Sequence, residues 1–60
     1  MPSDETRRVL KVFGVAVTNL DDAIERSAPP DEIRKVDAEL TERTREVLGL
    51  IERLRSRRTS

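Results

Sequence analysis

The stretch VLKVFGVAVTNL, residues 9–20, decides the fold, because it reads either as a buried β-strand or as one face of a helix. With residues spaced about 100° apart on a helical wheel, Val9, Leu10, Val12, Phe13, Ala16, Val17, Leu20, Ala23 and Ile24 share an arc of roughly 160°. Arg8, Lys11, Asp21, Asp22, Glu25 and Arg26 fall opposite, and Val15 is the lone apolar exception. A strand fits worse. Strict alternation places Lys11 on the same face as Val9, Phe13 and Val17 while the other face keeps Leu10, Val12 and Ala16. The β-branched residues cost only about a few tenths of a kcal/mol each in a helix, which packing overrides.

Outward from that stretch, Ser3 fits an N-cap, with Asp4 and Glu5 in the first turn where the helix dipole favours negative charge. The segment APPDE, residues 28–32, ends one helix and begins another. The residue before a proline avoids the α region, and Pro30 suits a first helical position followed by Asp31 and Glu32. Two helices are therefore expected, at about 4–27 and 30–57. In the second, Ile33, Val36, Leu40, Val47, Leu50, Ile51 and Leu54 form a narrower seam near the 3.5-residue repeat of antiparallel bundles. Arg43 and Thr44 interrupt it. Either Arg43 lays its stem over the core beside Glu39, or the two polar residues set the register of a symmetric interface.

Sixty residues make a single domain at most, residues 1–60, and a chain this short buries a small fraction of its surface. With no Cys or His, disulfides and the usual zinc sites are excluded as staples, which leaves association. The fold class that follows is all-α: an antiparallel helical hairpin that completes a four-helix bundle by dimerisation or by docking on a partner. The expected interface residues are Val9, Val12, Phe13, Ala16, Val17, Leu20, Ile24, Ile33, Val36, Leu40, Val47, Ile51 and Leu54. The first helix has a wider apolar arc than one neighbour can cover.

Twelve cations balance twelve anions, so no net charge draws the chain to nucleic acid or an anionic membrane. A single aromatic residue, Phe13, provides no stacking platform for bases. No apolar run is long enough to span a bilayer, and the polar N-terminus MPSDETRR does not read as a secretory signal, so a soluble cytoplasmic protein is expected. There is no His, Cys or Tyr for acid–base or nucleophilic work and no Gly-rich phosphate loop, so no enzyme activity, cofactor or metal is expected. Asp21, Asp22 and Glu25 lie on the solvent side. The acid-first pairs Asp22–Arg26, Asp31–Lys35 and Glu39–Arg43 support exposed helix surface.

Residues 32–54 resemble the first helix of the all-helical chorismate mutases, with Arg34, Asp37 and Arg43 as the matched positions. That family's third helix and its Glu or Gln have no counterpart here, and no activity is taken from the resemblance. At the C-terminus, Arg53, Arg55, Arg57 and Arg58 either oppose the helix dipole close to Asp4 and Glu5 or, with Arg7 and Arg8, form a docking patch for an anion or acidic partner. The function expected is a non-enzymatic helical interaction module. It would regulate, scaffold or serve as a small accessory subunit, with itself or a larger protein as partner. The alternative is a nucleic-acid-binding dimer: a Rop-type hairpin, or a ribbon-helix-helix protein with residues 7–13 as its strand.

Overall fold

The computed structural model describes the backbone of residues 3–59 and the side chains of residues 3–58. It is a two-helix hairpin measuring 47 × 18 × 12 Å, with α1 at Asp4–Glu25 and α2 at Pro30–Thr59. Residues 7–13, the strand of the ribbon-helix-helix alternative, lie inside α1, and the described residues contain no strand. Ser3 caps α1: its extended backbone turns the hydroxyl back to accept a hydrogen bond from the Thr6 N–H at 3.1 Å.

The first helix stops at Glu25, two residues short of the expected end. Ala28 precedes Pro29 and so avoids helical backbone, which requires the chain to reverse before it. Ser27 makes the reversal with φ 54°, in the left-handed region. The Ser27 N–H then donates to the Ile24 carbonyl at 3.1 Å and the Ala28 N–H to the Ala23 carbonyl at 2.9 Å. These two bonds form a Schellman C-cap, closed by contact-sized alanines at its two ends, Ala23 and Ala28, both buried. A serine at the left-handed position is strained by its Cβ, so Ser27→Gly is expected to stabilise the hairpin by roughly 0.5–1 kcal/mol, read as a thermal midpoint several degrees higher.

The second helix starts on the Pro29 carbonyl, which accepts from the Glu32 and Ile33 N–H groups at 3.0 and 3.1 Å. Pro30 occupies the first helical position, where its missing N–H costs nothing. Across the turn, the Arg26 guanidinium donates to Asp22 at 2.9 Å and also to Glu32, joining the end of α1 to the start of α2. The hydrogen bonds that it donates, first to Glu32 and then to Asp22, hold this guanidinium above its ordinary range. Arginine is charged at every working pH in any case, so the guanidinium side of the bridge does not titrate.

Between the helices, Val9, Phe13, Ala16, Leu20 and Ala23 face Ile33, Val36, Leu40, Val47 and Leu50 in alternating steps of three and four, the spacing of a left-handed antiparallel pair. Ala23 is 0 % exposed and Leu50 3 %, and the other buried ones among the described residues are Ala16 and Ala28. Three of these four side chains are methyl groups. Apart from Leu50, the larger seam residues stay half-exposed.

At 30 residues to 22, α2 is the longer helix by about 12 Å at a rise of 1.5 Å per residue. The ion pair Arg53–Glu5, at 3.0 Å, sets the register, so α2 projects past the start of α1 beyond about residue 55. Gly49, on the polar side of α2, has room for a methyl group, whose nearest neighbour would be an Arg53 nitrogen at 3.5 Å. Gly49→Ala is accordingly expected to stabilise by about 1 kcal/mol, measured by chemical denaturation.

Candidate functional site

The two broad faces of the hairpin differ in chemistry. On one, an open groove of about 510 Å³ runs between Glu5, Arg8, Val9 and Val12 of α1 and Arg43, Glu46 and Arg53 of α2. Apart from Arg8, its arginines are paired within the chain. Arg43 donates to Glu46 at 2.9 Å and lies 3.3 Å from Glu39, Arg45 reaches Glu42 at 2.8 Å, and Arg53 reaches Glu5. The Arg43 Nε is buried without an aligned acceptor, although Glu39 is within ion-pair distance. With its side chain a quarter exposed, Arg43 spans the seam and carries its head to two carboxylates, as in the stem-over-core reading. Thr44 donates instead to the Leu40 carbonyl of its own helix at 2.8 Å.

On the other face, Leu10, Val17 and Ile24 of α1 line up at intervals of seven and remain 50 %, 41 % and 59 % exposed. Together with the half-buried Phe13 and Leu20 they form a second seam, 10-13-17-20-24, rotated from the one that packs on α2. Side chains turn in opposite senses on antiparallel helices. Since the groove fixes which flanks lie on one side, the flank of α2 that shares the Leu10–Ile24 face carries Ile33, Thr44, Leu48 and Ile51, with Asp37 among them. Leu48 is exposed, and Ile33 and Ile51 are half-exposed. Both helices thus present their spare apolar surface in the same direction.

The flat, elongated shape also has a large total surface. A compact globule of 6.9 kDa exposes about 4000 Å². This chain exposes 4916 Å².

The thirteen expected interface residues divide accordingly. Val9, Phe13, Ala16, Leu20, Ile33, Val36, Leu40 and Val47 are buried or half-buried along the intrachain seam, whereas Val17 and Ile24 are exposed on the apolar face and the half-buried Ile51 borders it. Val12 is exposed on the groove side, and Leu54 is exposed near the overhang of α2. Leu10 and Leu48 belong to the apolar face and were not among the thirteen. The heptad step from Leu10 to Val17 to Ile24 is the signal that marks Leu10.

The arginines of the C-terminal end take different positions. Arg53 joins Glu5, Arg55 lies 3.5 Å from Glu52, and Asp4 is taken by Arg7 at 2.6 Å rather than by a C-terminal arginine. Arg57 and Arg58 lie on the projecting turn. Among the acid-first pairs, Asp22–Arg26 and Glu39–Arg43 form, but Asp31 pairs with Arg34 at 2.7 Å instead of Lys35. The positions matched to the chorismate mutases also separate: Arg43 lines the groove, while Asp37 belongs to the opposite face. Among the described residues no cluster of three side chains could hold a metal ion, and no helix is long and apolar enough to cross a membrane. No family model, curated protein or solved structure matches the chain.

Proposed function

We propose that this protein is a non-enzymatic helical interaction module whose working surface is the apolar face formed by Leu10, Val17 and Ile24 of α1 with Leu48 and Ile51 of α2. The observation that carries this reading is that one face of the hairpin collects the surplus apolar side chains of both helices, while on the other face Arg43, Arg45 and Arg53 are held by carboxylates of the same chain. Contiguous exposed apolar surface rimmed by charge is the usual mark of a protein-binding face. Such a module regulates, scaffolds or serves as an accessory subunit by filling a helical groove or completing a bundle. Its setting would be the cytoplasm.

The test is whether a helical partner surface quenches solvent exposure of this face. Hydrogen exchange of the pure chain and of the chain recovered from its native host should show protection gained on residues 10–24 and 48–51 when partners are present. Unchanged exchange there, with protection in the groove instead, would place the working surface elsewhere. Binding of structured RNA or duplex DNA at low salt, lost on removing Arg57 and Arg58, would favour the nucleic-acid alternative.

A further inference from the structure

Resting on the reading of the apolar face as the working surface, we infer that its occupant is a second copy of this chain, stacked face to face to give a two-fold symmetric four-helix bundle. Three properties of the molecule converge on a copy of itself. The first is area: at 47 × 18 Å the broad face of the hairpin offers the ~800 Å² per partner that a stable pairwise interface buries. One more hairpin would cover that face.

The second is length and spacing. The seam 10-13-17-20-24 runs at the same 3.5-residue repeat as the intrachain seam, so it calls for a straight antiparallel helix of about the same length. The molecule's own helices meet that requirement. With Val17 on the two-fold axis, Leu10 of one copy meets Ile24 of the other.

The third is charge. Arg7 flanks the apolar face near one end of α1 and Glu25 near the other, while Glu52 and Arg34 flank it on α2. If α1 packs antiparallel on α1 of the second copy, Arg7 comes beside Glu25. If α1 packed on α2 of the second copy instead, the register set by Arg53–Glu5 would bring Asp21 level with Asp37, two like charges. The α1-on-α1 arrangement therefore joins opposite charges at the rim without that clash, and the chain's zero net charge adds no overall repulsion between copies.

Sedimentation equilibrium of the purified full chain, from low-micromolar to submillimolar concentration, tests this alongside helicity by circular dichroism. The expected species has twice the 6.9 kDa chain mass. Val17→Asp, which places a carboxylate in the face twice over, should weaken association roughly a hundredfold or more, and the near-isosteric Val17→Thr roughly tenfold. Val15→Asp, at an exposed valine on the other side of α1, should leave it unchanged. Should Val17→Asp prevent folding, the Val17→Thr series still decides the matter. A fully helical monomer at every concentration overturns the second-copy assignment while leaving the face available to a foreign protein. A dimer indifferent to Val17→Thr but broken by Val15→Asp overturns the face itself. Any stoichiometry other than two also overturns the inference.

Discussion

Leu50→Ala is expected to destabilise the hairpin by about 2–4 kcal/mol, the range for truncating a well-buried leucine. At 3 % exposure Leu50 is the only large side chain among the four described residues that are buried, and it lies in the half of the hairpin farthest from the turn. Near the turn, alanines, the C-cap and the Arg26 bridge hold the helices together. Toward the open end the seam depends on Leu50 with Val9, Val47 and Phe13, all less buried. A small domain has only a few kcal/mol of stability, so the loss is a large part of the total. Urea denaturation followed by far-UV circular dichroism should show the midpoint fall to low denaturant or the transition disappear. A change below about 0.5 kcal/mol would mean that the open end of the seam is not packed as described.

Ala23→Leu is expected to have an effect of similar size for the opposite physical reason. Ala23 is 0 % exposed, and its carbonyl accepts the C-cap bond from Ala28. A leucine needs volume that is not there. Overpacking of this kind costs about 1–3 kcal/mol, and here it also pushes against the turn that the C-cap and the Arg26 bridge close. Its neighbour supplies the contrast. Ile24→Ala removes a larger side chain, but one that is 59 % exposed on the apolar face, so within a lone hairpin it should cost no more than about 0.5 kcal/mol. If a second copy covers Ile24, the same truncation costs more as protein concentration rises. Measuring both variants at two concentrations therefore separates packing inside the hairpin from packing between copies.

Most of the secondary structure was legible because it depends on local rules. The 3.6-residue repeat of residues 9–24 excludes a strand, Ser3 announces a cap, and Pro29 with Pro30 punctuates the chain. The end of α1 was less legible. An Ala-Pro pair says that the helix must stop, but it does not say that Ser27 will take a left-handed conformation or that the Ala23 carbonyl will take up the Ala28 N–H. The ion pairs divide in the same way: spacing proposes Asp31 with Lys35, yet side-chain reach on the folded helix gives Asp31 to Arg34. Arg26 with Glu32 crosses a turn, and no periodicity registers it.

By itself, then, the sequence determined that this chain makes two amphipathic helices and that the first has more apolar circumference than one neighbour can cover. Those are properties of residue spacing around a cylinder, and they hold before anything packs. Only the tertiary structure decided in which direction the surplus points. The register set by the turn and by Arg53 with Glu5 rotates the unused flanks of both helices onto one face and leaves the paired charges on the other. Two separate apolar stripes become a single surface because antiparallel packing turns the helices in opposite senses, and a one-dimensional pattern cannot express that relation.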